Sequence, residues 1–350
     1  MPKYHAPRRG SLGFVRKRAS RIYPRVSTWP QINEVVPLGF PAYKVGMVSV
    51  QEIYEKPGSF FYMIYGAGMK RMVAATVLEA PPIRVMGVRI YKLTSYGYKT
   101  LGEVWTHEIT DFERKYLGRK VTLPKEETLT EEVVNERKEK FMELAKEGEV
   151  DRVRLIIRTR PELTGIGKKK PEVMEIQVGG PAVEALEYAF RKLGKEIEVT
   201  EVLRPGQLVD IIGVTKGKGF QGVVKRFGVK ILPPKTKKEK RAVGSLGPWT
   251  PGRVAWTVPR YGQLGFFKRT EYNKEILAII TDDNIEKLNP KGGWWHYGII
   301  RNPAVIIRGS AFGPPKRLIF LRYAIRAPNE MRSPKILGIY YSREQLPVEL

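Results

Sequence analysis

Positive charge in this chain is packed into two segments, and neither carries the apolar groups needed to fold by itself. Residues 1–30 hold eight Lys or Arg (Lys3, Arg8, Arg9, Arg16, Lys17, Arg18, Arg21, Arg25) and no acid. Residues 213–270 hold fourteen against Glu239 alone: Lys216, Lys218, Lys225, Arg226, Lys230, Lys235, Lys237, Lys238, Lys240, Arg241, Arg253, Arg260, Lys268 and Arg269. Together they carry +21 of a net +26, so the rest of the 350 residues is nearly neutral. Mutual repulsion adds to the ordering entropy that sparse apolar groups would have to offset. Both segments are therefore expected to order only against a polyanion.

The central segment narrows the kind of polyanion. It holds ten Gly and five Pro, with Phe220, Phe227, Trp249, Trp256, Tyr261, Phe266 and Phe267 spread among the cations. Aromatic faces between cations suit unpaired bases, as in single-stranded or irregular RNA. Gly217, Gly219 and Gly222 stand in GKGFQG, which has the G-x-G-x-x-G spacing of dinucleotide-binding loops. That reading needs a crossover helix and an acid about 20 residues on. Gly228, Pro233 and Pro234 leave room for only a short helix, and Glu239 sits inside KTKKEKR. A Walker loop is excluded as well, because Gly219 rather than a hydroxyl residue follows Lys218. The glycines are expected to let the backbone approach RNA phosphates.

The neutral remainder reads as mainly β with an α/β insertion. AYKVGMVSVQEIY (42–54), FFYMIYG (60–66), RMVAATVLEA (71–80) and RVMGVRIYKL (84–93) are β-branched and aromatic runs divided by turn residues, a spacing that suggests a small barrel. Composition turns acidic near 105, and Thr128 three residues before Glu131 has capping-box spacing ahead of an amphipathic helix over 130–147. RVRLIIRT (152–159) and EVMEIQV (172–178) read as strands, and 181–194 as a helix opened by Pro181 and closed by Gly194. Strand patterns return over 196–214, 275–281, 304–309 and 316–326, so a barrel would close with strands from both ends of the chain. The expected organisation is an arm at 1–30, a discontinuous body at 31–104 and 196–350, an insertion at 105–195, and a central extension at 213–270.

Catalytic and metal chemistry find little footing. His5, His107 and His296 are scattered, Cys is absent, and no G-x-S-x-G occurs. Asp282 and Asp283 read as a turn after a strand, and Lys168, Lys169 and Lys170 as a solvated face. Of Trp294 and Trp295, at least one is expected in the core. No apolar run reaches the length of a spanning helix, and the basic N-terminal stretch lacks the apolar centre of a signal peptide, which points to the cytosol.

One family combines these features. Leu203, Asp210, Gly213, Thr215, Gly217, Lys218, Gly219, Gly222 and Arg226 meet its signature spacing, and APRRGSLGFVRKR, LTGIGKKKPEVMEIQVGG, GSLGPWTPGRV and GSAFGPPKRLIFLR extend the match along nearly the whole chain. The chain resembles the universal large-subunit ribosomal protein L-three family in its archaeal and eukaryotic form. The resemblance implies a translation-protein-type β-barrel on the subunit surface, with arm and central loop threading through ribosomal RNA. It places Trp249 and Trp256 near the peptidyl transferase centre, and implies a structural, non-enzymatic role in nucleating subunit assembly. The implied partners are large-subunit rRNA and neighbouring ribosomal proteins, with no cofactor, no membrane and no homo-oligomer. Phe227 departs from the Trp expected in the family, which removes an N–H donor while keeping a ring. An RNA-acting enzyme would need acids, His or metal ligands among the cations, where only Glu239 stands. A nonspecific chromatin protein would not need two basic segments around a neutral body.

Overall fold

The computed structural model describes residues 18–54, 60–66, 68–117, 123–124, 130–236, 239–327 and 334–341. In chain order its elements are β1 (Gly39–Tyr54), α1 (Phe60–Tyr65), β2 (Met69–Glu79), β3 (Ile83–Thr94), β4 (Gly97–Trp105), α2 (Asp111–Leu117), α3 (Glu131–Lys146) and β5 (Arg152–Arg158). Then follow β6 (Val173–Gln177), α4 (Ala182–Lys192), β7 (Glu196–Ile197), α5 (Val199–Val202), β8 (Leu208–Val214), β9 (Gly217–Gln221), α6 (Val223–Phe227) and β10 (Gly262–Gly265). The last are β11 (Lys268–Ile280), α7 (Asp282–Leu288), β12 (Ala304–Arg308), β13 (Leu318–Tyr323) and β14 (Lys335–Tyr340). Backbone contacts divide the chain into two compact units: residues 18–22 with Val214–Arg269, and a body running from Tyr23 to Gly213 and from Thr270 onward.

The fold is mainly β. The larger sheet runs β13-β8-β11-β12-β2-β1-β14, and β13 also pairs β1, so six of its strands are hydrogen-bonded in a cycle. Long β1 makes this possible by serving three partners. Gly39–Tyr43 pair with β13, Tyr43–Tyr54 with β2 and Ser49–Ile53 with β14, with a register shift between Lys44 and Gly46. Strand side chains alternate between faces. In β12, Val305 and Ile307 accordingly enter one apolar cluster, Ala304 and Ile306 another. Burial on both faces explains why AVII reads as an unbroken apolar run.

The second sheet is β4-β3-β5-β6, with β7 on β3. Val134, Phe141 and Ala145 of α3 and Ala185, Leu186 and Ala189 of α4 recur at helical spacing and share an apolar cluster with Val88, Val153 and Leu155 of this sheet. Pro181 caps α4, and Gly194 (φ +79°) supplies the left-handed residue beyond its end. A separate cluster of Met86, Trp105, Ile109, Leu117 and Ile156 includes Leu117 of α2.

Three local expectations are corrected. FFYMIYG contains a short helix, not a strand, because β1 pairs directly with β2 down to Tyr54↔Met69 and the run lies in their connection without a strand partner. The helix expected from Thr128 is capped at Thr130, so Glu131 stands at its first position and no capping box forms there; Thr128 lies outside the described residues. A capping box does occur at Glu198 and Glu201. Asp282 and Asp283 open α7 instead of forming a turn. Separately, β3, before the compositional change near 105, pairs with β5 after it along Arg84–Tyr91.

Ion pairs around the buried Glu52 carboxylate tie the larger sheet. Glu52 of β1 faces Arg71 of β2 at 2.5 Å and Arg308 of β12 at 2.5 Å, and Arg308 reaches Glu275 of β11 at 2.8 Å. Burial would raise the Glu52 carboxyl pKa, but hydrogen bonds and charges from Arg308 and Arg71 outweigh it and hold the carboxyl below its ordinary value. A carboxylate with a depressed folded pKa contributes stability above its unfolded value, about 4.3, that is lost as pH falls through the folded one. Denaturation midpoints are therefore expected to drop on acidification below about pH 4.3. Glu52→Gln should lower the midpoint at pH 7 and flatten that acid slope; an unchanged slope would assign the sensitivity to other carboxylates.

Candidate nucleic-acid interface

The smaller unit is built on a two-stranded ribbon. β9, which holds GKGFQ, pairs antiparallel with β10, matching Gln221 to Gly262 and Phe220 to Gln263, with a bulge before Gly265↔Gly217. The fingerprint glycines therefore lie on and beside an exposed strand, followed by the five-residue helix α6, which Gly228 closes in the left-handed region at φ +69°. No crossover helix follows. Gly219 has φ +64° and open space where a Cβ would stand. Gly265, at φ +71°, is tighter: a Cβ there would strike the Lys216 carbonyl. The ribbon needs glycine at 265 for packing, whereas at 219 and 222 the backbone is simply open to an approaching partner.

Several cations and rings serve the ribbon itself. Arg226 donates from Nε to the Gln263 carbonyl (3.1 Å) and from Nη1 to the Arg260 carbonyl (2.8 Å), with its guanidinium 5.0 Å from the Phe227 ring centroid. This locks α6 to the strand across from it. The Ala19 amide donates to the Phe266 carbonyl at 2.8 Å, and Arg18 lies 5.4 Å from the Phe266 ring centroid, so these two residues of the basic arm join the same ribbon. Phe267 is buried and Arg269 lies over it at 5.1 Å, which removes Phe267 from the set of free stacking faces.

The remaining candidates face outward. Lys216, Lys218, Lys225, Lys230, Lys235, Lys240, Arg241, Arg253, Arg260 and Lys268 are exposed, as are Arg18 and Arg21. Arg8, Arg9, Arg16, Lys17, Lys237 and Lys238 lie outside the described residues. Between α6 and β10 the chain is held by isolated backbone hydrogen bonds, among them Leu232 N–H to Lys240 C=O (2.9 Å) and the turn bond Gly252 N–H to Trp249 C=O (2.8 Å). Trp249 is 96% exposed and Trp256 71%, so Trp249 does not pack on Trp256. The Phe220 and Tyr261 rings lie 5.4 Å apart, tilted at 45° to each other, while both stay exposed. Exposed Ile231, Leu246 and Val254 add apolar surface that charge counting does not reveal. Among the described residues, no three His, Cys, Asp or Glu converge as metal ligands, and no helix is long and apolar enough to cross a membrane.

The sequence model of a family described as Ribosomal protein L3 matches residues 1–344. The chain belongs to the ribosomal protein L3 family. It is 47% identical over 330 residues to large ribosomal subunit protein uL3 of Archaeoglobus fulgidus, covering 93% of this chain and 94% of that one. Against uL3 of Methanosphaera stadtmanae the identity is 43% over 350 residues, covering 99% of each chain. Against uL3 of Methanocaldococcus jannaschii it is 45% over 347 residues, covering 97% of each. Members of the L3 family are structural components of the ribosome and not enzymes.

The signature residues divide into two kinds on this structure. Leu203 and Asp210 are fully buried, and Asp210 accepts from Arg322 Nη2 (2.6 Å) and from the amides of Asn273 (3.1 Å) and Ile325 (3.2 Å). Lys218, Gly219 and Gly222 are exposed. The L3 signature thus spans a core fixture and an outward-facing ribbon.

Proposed function

We propose that the chain is a structural constituent of the cytoplasmic large ribosomal subunit that binds large-subunit rRNA, helps nucleate assembly and supports the peptidyl transferase centre. The observation that carries this reading is the exposed, glycine-rich basic unit, with Glu239 its single acid, in a chain of the L3 family. In this reading residues 1–30 are an RNA-binding arm, and 213–270 a central extension with Trp249 and Trp256 near its tip. The cycle of six strands supports a translation-protein-type barrel as the body, with the α3 and α4 layer as its insertion. Partners are rRNA and neighbouring large-subunit proteins, without membrane attachment or self-association.

The tip separates holding from shaping. Trp249 sits in GPWTPG, where Pro248 fixes its own φ and a Trp249–Gly252 turn closes the backbone. Trp249→Ala removes one stacking ring, worth roughly 1–3 kcal/mol where a base lies on it, and leaves every cation in place. Subunit assembly is therefore expected to proceed while aminoacyl-tRNA accommodation or peptidyl transfer changes. Subunit profiles and accommodation rates measure the two; blocked assembly, or untouched tRNA handling, would remove Trp249 from the tip role.

A further inference from the structure

A second aromatic display stands on the body, away from both basic segments in sequence. In KGGWWHYG (291–298), the Trp294 amide donates to the Gly298 carbonyl (2.8 Å), and the Gly298 and Tyr297 amides donate back to the Trp294 carbonyl (3.0 Å each). The knuckle is anchored from below. Trp294 is buried with its ring edge-on to Tyr341 at 5.4 Å, and the buried Tyr297 hydroxyl donates to Glu79. Glu79 also accepts from the amides of Arg301 (3.0 Å) and Asn302 (3.1 Å) and from Asn302 Nδ2 (2.8 Å). Burial, followed by the Glu79 charge, raises the Tyr297 pKa, so this anchor keeps its proton. His296 stands at φ +58°, in the left-handed region that few non-glycine residues occupy.

This fixed turn holds Trp295 outward at 81% exposure, its ring touching only His296 edge-on at 5.3 Å among the ring contacts of the described residues. The chain around it has no acid from 287 to 316, and Lys291 and Arg301 are exposed. Asn302 Nδ2 also donates to the Leu163 carbonyl (3.1 Å), which brings up the acid-free stretch 163–170 with exposed Lys169. Lys168 in that stretch pairs with buried Glu172, so it is not simply solvated. An indole held outward by a fixed turn, with exposed Lys291 and Arg301 close to it in sequence, suits an unpaired base, since stacking requires a base out of its duplex and cations hold the adjoining phosphates. We propose that the Gly292–Gly298 knuckle is an RNA-contacting element of the body, separate from arm and central extension, in which Trp295 stacks on an unpaired rRNA base. This rests on the ribosomal reading above.

The test is equilibrium binding of full-length chain to transcribed large-subunit rRNA across a salt series, with thermal midpoints as a fold control and a photo-crosslinker at 295 in purified subunits. Trp295→Ala should weaken binding about tenfold or more with an unchanged salt slope, and Trp295→Phe should recover most of it. Arg301→Gln should lower the slope by about one phosphate contact. Wild-type affinity for Trp295→Ala, a crosslink to protein in place of RNA, or a lowered midpoint that accounts for the lost binding would each overturn the knuckle alone. A wild-type chain that does not bind the rRNA would overturn the ribosomal reading and this inference with it.

Discussion

Arg322→Ala should cost the body about 3–5 kcal/mol, because removing one partner of a buried pair leaves the other charge uncompensated. Asp210 and Arg322 are both almost fully buried, 112 positions apart in sequence, and joined at 2.6 Å between β8 and β13. Arg322 Nη1 also donates to the Thr28 carbonyl at 2.6 Å, so the same change frees the segment leading into β1. Asp210 would retain only the amides of Asn273 and Ile325. Denaturant midpoints measure the loss. Pairing Asp210→Asn with Arg322→Met should recover more than half of it, since removing both charges together while keeping an acceptor avoids an orphan ion. If the double variant is as damaged as the single, the cost lies in packing and not in charge.

Replacing Lys235, Lys240, Arg241 and Arg253 together by Ala should flatten the salt dependence of rRNA binding by about 3 in the log–log slope. Each phosphate contact releases a counterion worth about 0.7–0.9 of slope. All four side chains are exposed in the smaller unit, and none of the described acids except Glu239 belongs to that segment. At low salt the affinity should fall by orders of magnitude, while the denaturation midpoint of the body stays where it was. A full slope in the variant would mean that these cations are only solvated.

The pattern along the chain made much of this legible. β1, β2, β3, β5, β11 and β12 announce themselves by β-branched runs, and α3 and α4 by apolar spacing, because both periodicities are properties of a few consecutive residues. The concentration of cations, glycine and exposed rings in 213–270 was equally visible, since charge and composition need no fold to be counted. The misreadings fall where a local pattern serves two structures. FFYMIY is as compatible with a helix as with a strand until β1 and β2 are seen to pair without it. Nor does the β-branched run of β3 say which sheet it joins, because sheet membership depends on the partner and not on the strand.

Within the candidate site the division is similar. Arg226 looked like every other cation in the segment, and only the pairing of β9 with β10 placed the Gln263 and Arg260 carbonyls where its guanidinium could reach them. Phe267 and Trp256 were equivalent as aromatic letters, but one is buried and the other is not. Trp294 and Trp295 are neighbours of identical chemistry, one driven into the core and the other out of it by the hydrogen-bonded turn at Gly298. By itself the sequence determined which segments hold charge, which periodicities the backbone follows and which family the chain resembles, all properties carried by residue identity and short spacing. The tertiary structure alone decided which cations are bound internally, which rings are free to stack and which acid balances Arg322. Those outcomes depend on groups tens to hundreds of residues apart being brought within about 3 Å, the range at which hydrogen bonds and desolvated charges act.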